Sequence, residues 1–262
     1  MKPVGFSRRM TCVEMSRIKS GVAAWLLGLL VSSPALAVEC RDISFEGNDF
    51  TICEADAQTE EIRLFLNGPE GALYGHFSAI AAQLATQDAR LSFAMNGGMY
   101  HDDRSPVGHY VEDRQEQMRV IPNAGPGNFG LLPNGIFCIR EDRADVIETL
   151  DYVDTAPDCL HATQSGPMLV IDGELHPRFL PDSTSRYIRN GVGTDPDGRR
   201  VVFAISNDAV TFHEFGRLFR EELDVANALF LDGNISRLYA PQLDRSDFGW
   251  RLGPIIGIVE RN

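Results

Sequence analysis

Apolar positions in this chain recur in short runs, and Gly, Pro, Asn and Asp punctuate them. Residues 43–45 and 50–53 flank Gly47-Asn48-Asp49 and predict a β-hairpin. Further strands are predicted at 62–66, 91–95, 107–111, 129–132, 136–139, 168–171, 201–205, 228–231 and 255–259, with 201–205 the clearest. Helical spacing occurs twice. Phe77, Ile80, Ala81 and Leu84 share one face over 77–86, and Phe212, Phe215, Leu218, Phe219 and Leu223 share one face over 211–223. Thr211-x-x-Glu214 opens the second helix as a capping box. Strands outnumber helices, and no internal repeat or low-complexity linker is present. The pattern predicts one α+β domain with a large mixed, mainly antiparallel sheet and a few covering helices. The regular strand–helix alternation of a doubly wound fold is absent.

The first residues break this pattern. Lys2, Arg8, Arg9, Arg17 and Lys19 precede an apolar run from Gly21 to Val31, then Pro34 and Ala35-Leu36-Ala37. That order predicts a signal peptide over 1–37, cleaved after Ala37, with the alternative of an uncleaved anchor. A domain of about 225 residues then remains at 38–262, within the range of one domain. The expected location is periplasmic or secreted, with no stable membrane insertion of the mature chain. The sequence leaves the oligomeric state open.

The whole chain has 24 basic and 37 acidic residues, a net charge of −13. Removing 1–37 makes it more acidic, since that segment is basic. Such a surface repels polyphosphate backbones, so nucleic acid is not an expected partner. A bound anion needs a local positive pocket. Cys12 leaves with the signal, and Cys40, Cys53, Cys138 and Cys159 remain. An even count in an oxidising compartment predicts two disulfides. Of three possible pairings, Cys40–Cys53 and Cys138–Cys159 are favoured because each closes a short, strand-rich loop.

Candidate chemistry sits where buried strands end in small polar residues. Asn96-Gly97-Gly98 follows 91–95; Ser165 lies in Thr163-Gln-Ser-Gly-Pro-Met168; Ser206-Asn207-Asp208 follows 201–205. Asp232-Gly233-Asn234-Ile235-Ser236 follows 228–231, and there a strand-end carboxylate suits general-base, nucleophilic or sugar-binding work. Asn96 and Asp232 equally suit simple turns. Arg186 and Arg189 stand close together in an acidic chain, and a guanidinium can hold a phosphate through two hydrogen bonds or form a structural ion pair. His101, His109 and His213 lack metal-ligand spacing, and Asp208 with Asp232 does not demand a metal, so neither metal nor cofactor is expected. No nucleophile elbow, P-loop or HExxH is present.

Taken together, Met95-Asn-Gly-Gly-Met-Tyr100, Ser165-Gly-Pro-Met-Leu-Val170, Arg189-Asn-Gly-Val-Gly193 and Leu231-Asp-Gly-Asn-Ile-Ser236 resemble motifs of the phosphodiester glycosidase family, in particular a bacterial exported subgroup. The chain departs from the family pattern at Ser206-Asn207-Asp208 and at Asn234-Ile235. The resemblance implies an exported hydrolase that cleaves the glycosidic bond of a sugar phosphodiester in envelope or extracellular glycans. Its partner is then a carbohydrate or glycosyl-phosphate substrate. On that reading Asp232, Arg189, Asn96 and His109 are the catalytic set. Arg189 meets the phosphate, Asp232 meets the sugar or activates water, and Asn96 hydrogen-bonds the substrate. His109 acts as acid/base helper, unless it is a core histidine. Gly97, Ser165, Arg186, Ser206, Asn207, Gly233, Asn234 and Ser236 bind substrate. The alternative is a non-catalytic glycan-binding or exopolysaccharide-assembly protein of the periplasm.

Overall fold

The strand Arg200–Ser206 is apolar on both faces, and this shapes the architecture. Val201, Phe203 and Ile205 pack into one hydrophobic cluster, while Val202 and Ala204 pack into another on the opposite side. A strand of this kind needs cover on both faces.

The structure is a computed structural model that describes residues 1–3, 5, 38–232 and 235–261; the expected signal segment 1–37 lies almost wholly outside the described residues, as do Gly233 and Asn234. In chain order the elements are β1 (Glu39–Phe45), β2 (Asn48–Asp56), β3 (Glu61–Phe65), α1 (Phe77–Ala85), β4 (Ala89–Asn96), β5 (Tyr110–Glu112), β6 (Gln115–Met118), β7 (Gly135–Ile139) and β8 (Ala144–Glu148). Then come α2 (Thr149–Thr155), β9 (His161–Ser165), β10 (Met168–Ile171), β11 (Glu174–Leu175), β12 (Asn190–Thr194), β13 (Arg200–Ser206), α3 (Phe212–Arg217), β14 (Asn227–Asp232), β15 (Leu238–Ala240), β16 (Arg245–Ser246) and β17 (Ile255–Arg261). Residues 38–261 lie within one compact unit.

The α+β class, the antiparallel pairing and the few covering helices are as expected. Among the described residues, though, the strands form three sheets. The first runs β1-β2-β13-β12-β14-β10-β11, the second β16-β15-β4-β17-β3 and the third β6-β5-β9-β7-β8. Each sheet gives one face to a shared central core. Phe203 of the first sheet lies 4.6 Å from Phe93 of the second and 6.1 Å from Phe137 of the third, ring centroid to centroid. Each outer face has its own helix. Phe77, Ile80 and Leu84 of α1 cover the second sheet, Tyr152 of α2 covers the third, and Phe215 of α3 covers the first with Leu218 and Phe219.

Other expectations change in detail. The helix expected over 211–223 has its capping box, but it ends at Arg217 and continues as a π turn over Leu218–Glu222. Residues 129–132 are a loop: Asn134 Nδ2 donates to Phe129 O across 2.8 Å, and the Leu132–Pro133 peptide is cis. Both favoured disulfides are present. Cys40–Cys53 joins β1 to β2, and Cys138–Cys159 joins β7 to the turn before β9. Among the described residues no helix is long and apolar enough to cross a membrane.

The three sheets are tied at one end, where β4, β9, β13 and β14 finish and β12 and β17 begin. Register places Asn96 opposite Ile255, and Asn190 opposite both Asp232 and Ile205. Three side chains cross between sheets there. Asn190 Nδ2 donates to Asn96 O at 3.3 Å, while Asn190 Oδ1 accepts from Asp232 N at 3.0 Å. Thr163 Oγ1 donates to Gly97 O at 2.7 Å, and Ser165 Oγ donates to Leu231 O at 2.6 Å. The approach of the third sheet to the second requires Gly98. Its φ is +149°, and a Cβ there would lie 2.6 Å from Thr163 Oγ1.

Two stability outcomes follow from this construction. Asn190→Leu strands a buried N–H and a buried carbonyl, and urea titration should show a loss of about 3 kcal/mol. An unchanged midpoint would mean that the seam is not held by this amide. Replacing Cys138 and Cys159 by Ser opens a loop of sequence separation 21 and should lower unfolding free energy by about 3 kcal/mol, read by the same titration under non-reducing conditions.

Candidate functional site

The seam gathers several of the residues singled out in the sequence, and it commits most of them to structural bonds. Ser165 is spent on Leu231 O, and Gly97 donates to Pro254 O while accepting from Thr163. Ser206 Oγ accepts from Arg189 N at 2.9 Å and closes the β12–β13 ladder. Ser236 Oγ donates to Asp232 O at 3.0 Å and Ile188 O at 3.1 Å. Asn207 turns toward the sheet edge, where Nδ2 donates to Thr51 Oγ1 and Oδ1 accepts from Arg245. Asp208 accepts from Asp49 N at 2.8 Å. Arg186 pairs with Glu214 at 3.0 Å and donates to Ala209 O, both on the α3 side.

Arg189 also faces α3. Its guanidinium carbon lies 3.7 Å from the centroid of Phe212 and 5.5 Å from those of Tyr187 and Phe230. Nε donates to Val210 O at 2.8 Å and Nη2 to Ser185 O at 3.0 Å. The residue is 1% exposed, and burial pulls its pKa down to about 10. The reason is the pleat: adjacent residues of a strand point to opposite faces. Asn190 reaches inward to Asn96, so Arg189 is turned outward under α3. His109 is buried between Met118 O, 3.0 Å from Nδ1, and Tyr152 OH, 2.9 Å from Nε2. Burial lowers its pKa, and it sits on the α2 side of the third sheet as a core histidine.

Asn96 and Asp232 remain at the convergence. Asn96 is wholly buried. Its Oδ1 accepts from Arg237 N at 2.9 Å, but its Nδ2 has no acceptor among the described residues. The hydroxyl of Tyr100 is likewise buried without a partner among them. Burial, then the neighbouring Asp232 carboxylate, raises the pKa of Tyr100, while Arg104 and Arg237 act in the opposite direction. The Tyr100 hydroxyl thus lies in the combined field of one carboxylate and two guanidinium groups. The Arg104 guanidinium carbon is 5.3 Å from the centroid of the Tyr100 ring, and Arg104 holds a left-handed backbone at φ +77°. Conformations of this kind concentrate at functional sites. Arg237 is nearly buried and donates to Trp250 O. It lines a cleft of about 130 Å³ with His76, Phe248 and Leu252. Among the described residues no group of three or more His, Cys, Asp and Glu is placed to hold a metal.

Tyr100, Arg104 and Arg237 were not among the residues the sequence singled out for the site. Tyr100 ends the Asn96-Gly-Gly-Met-Tyr segment and Arg237 follows Ser236, so both adjoin recognised motifs. Arg104 carries no comparable signal. Chemically, the arrangement offers a carboxylate, an uncommitted amide donor and an uncommitted phenol beside two cations, a set suited to an anionic, hydroxyl-rich ligand.

Comparison with known proteins agrees with this character. The sequence profile of the phosphodiester glycosidases (NAGPA) matches residues 89–258. An uncharacterized protein of Escherichia coli K12, YigE, is 33% identical over 228 residues, which is 86% of this chain and 87% of that protein. Among solved structures, the catalytic domain of zebrafish N-acetylglucosamine-1-phosphodiester alpha-N-acetylglucosaminidase, auto-inhibited by its propeptide, superposes with a TM-score of 0.59 at 17% identity. That match covers 87% of this chain and 85% of the zebrafish one. A hypothetical protein from Synechocystis gives a TM-score of 0.57 at 14% identity, over 86% of this chain and 62% of the other. The two structures share the fold, and the profile spans β4 to β17 and with them the whole strand-end cluster: the chain belongs to the phosphodiester glycosidase family.

Proposed function

We propose that the protein is an exported hydrolase that cleaves the glycosidic bond of a sugar phosphodiester in envelope or extracellular glycans. One observation carries this reading: the buried Asn96 amide and the Tyr100 hydroxyl lack protein partners among the described residues beside Asp232, Arg104 and Arg237. Unsatisfied buried donors are rare and costly in native proteins, and a ligand oxygen satisfies them. The two disulfides suit an oxidising compartment, in keeping with export.

The chemistry needs little more than this set. Water attacks the anomeric carbon, and Asp232 takes up its proton. The bond from that carbon to the phosphate oxygen breaks, and the electron pair leaves with a phosphate monoester. Ordinary glycosidases use a carboxylic acid to protonate an alkoxide leaving group. A phosphate monoester is stable as an anion, so positive charge and donors serve in place of that acid. Arg237 and Arg104 supply the charge, and the Tyr100 hydroxyl donates to a phosphate oxygen. Asn96 Nδ2 donates to the sugar. Arg189 acts here as a positioning residue, holding the segment 185–189 whose Ile188 carbonyl receives Ser236. The activity named for the zebrafish neighbour makes N-acetylglucosamine 1-phosphodiesters the first substrates to try.

The alternative is a non-catalytic glycan-binding or polysaccharide-assembly protein. The structural commitment of Ser206 and Asn207, at a place where the chain departs from the family pattern, favours it. It predicts sugar binding without product.

A product-detected screen of glycosyl phosphodiesters with purified protein separates the two. On a turned-over diester, Asp232→Asn should lower kcat by about a hundredfold or more, and Arg237→Ala should raise KM. Arg189→Ala should lower the melting temperature more than it changes KM. Near-normal turnover in both Asp232→Asn and Arg237→Ala, with the fold intact, would sink the assignment.

A further inference from the structure

The pole of the core opposite the seam carries a further cleft, of about 320 Å³, where β3 and β9 begin and β7 and β17 end. The charges that line it are almost all paired. Arg261 meets Glu61 at 2.9 Å, and Arg63 lies 3.7 Å from Glu61 and 3.6 Å from Asp113. Glu141 meets Arg114 at 3.1 Å. The Arg140 guanidinium pairs with Asp145, although its Nε has no acceptor among the described residues. His161 brings no charge, since burial pulls its pKa down to about 4.

Glu60 is the exception. It lines the same cleft and has no ion pair among the described residues. Its Oε2 accepts from Asp56 N at 2.7 Å, but its Oε1 is buried with no hydrogen-bond partner among them. Burial pushes the Glu60 pKa up to about 7. The main-chain N–H groups of Asp56 and Val38 pull the other way, and the Asp56 and Glu260 carboxylates add to the rise. A buried carboxylate left in this condition is costly unless a donor or a cation meets it.

The N–H of Val38 belongs to a firmly placed residue. Val38 is 5% exposed, and its side chain is part of the central core. Val38 O accepts from Gln242 Nε2 at 3.3 Å, and two residues later Cys40 is bonded to Cys53. Val38 is also the residue that the expected cleavage after Ala37 turns into a chain terminus. Water adds across the Ala37–Val38 peptide: the C–N bond breaks, and Ala37 leaves as a carboxylate. The Val38 nitrogen keeps the electron pair and takes both protons of the water to become an α-ammonium. One N–H donor then becomes three with a full positive charge, and charge-assisted hydrogen bonds are about twice as strong as neutral ones. No other group of this kind competes for Glu60. Lys2 and Lys19 are the only lysines of the sequence, so residues 38–262 contain none, and the α-amine is the only primary amine of the processed chain.

We propose that Glu60 is a binding site for a primary ammonium, and that this ammonium is the chain's own, released at Val38 when an export peptidase removes residues 1–37. Processing then completes the packing of this pole. The pair lies away from the seam and forms whichever ligand the seam takes, so it does not rest on the sugar-phosphodiester reading.

The full-length chain, exported by a bacterial host and purified from its periplasm, should have the intact mass of residues 38–262. A succinimidyl ester should then acylate one amine, read as a single mass shift. At neutral pH this labelling should be about tenfold slower in the wild type than in Glu60→Gln, since a rise of one pKa unit makes the free amine about tenfold scarcer. Glu60→Gln keeps an acceptor for Asp56 N. A second variant, with Gly-Ser inserted between Ala37 and Val38, keeps Glu60 and the signal but carries the terminal ammonium two residues away. It should label at the faster rate and melt about 4 °C below the wild type, and adding Glu60→Gln to it should leave its labelling rate unchanged. A mature start at any residue other than 38 overturns the proposal. So do equal labelling rates or equal melting temperatures in the wild type and the insertion variant. An equal effect of Glu60→Gln on labelling with and without the insertion overturns it too, because Glu60 would then act through the fold alone.

Discussion

One carboxamide holds the functional end of this molecule together. Asn190 donates to the last carbonyl of β4 and accepts from the backbone N–H of Asp232, so a single buried side chain sets where two sheets end relative to each other. A hydrogen bond of this kind is worth little net in water but much when its partners are sealed from solvent, because neither has an alternative. The Thr163 and Ser165 hydroxyls bring in the third sheet by the same device. The helices lie on the outer faces of the sheets, and the central core is built from side chains of all three. The end of the core is therefore closed by polar seams, and the seam is where a polar ligand can meet fixed groups.

Much of the scaffold could be read in the sequence because burial on two sides leaves a strong signature. β4, β13 and β14 are near-continuous apolar runs, and the β1–β2 hairpin announces itself through its turn. The elements missed are those whose composition hides their environment. β9, His161–Ser165, is entirely buried yet mostly polar, because its side chains bond across the seam or along its edge. β12 is Gly-rich and Arg-flanked, and its sequence carries no strand signal. In fact Gly191 and Gly193 let neighbouring side chains and backbone approach a core strand more closely than a Cβ permits. The loop containing residues 129–132 errs the other way: apolar residues there fold around Asn134 without pairing into a ladder.

The site divides along similar lines. Asn96 and Asp232, which we propose for the site, stand out in the sequence because they sit where strong strands stop at small polar residues. The cation proposed for the site is not the one nearest along the chain to the bridging Asn190. Arg189 adjoins the bridging Asn190, and for that very reason its side chain leaves by the other face and lies on Phe212. Arg237, which follows the polar loop, is brought beside Tyr100 by pairing between β15 and β4. Strand alternation, a property of geometry and not of composition, separates the two arginines.

Residues 247–254, whose Trp250 carbonyl receives the Arg237 guanidinium, form a fastened segment, and this has an evolutionary consequence. Several of its ties run through main-chain atoms, the carbonyl of Trp250 and the amides of Asp247 and Leu252. The identities of the side chains at 248 and 250 are not what keeps the segment in place. A lineage carrying this scaffold can exchange those two side chains while the seam and the carboxylate beneath stay untouched.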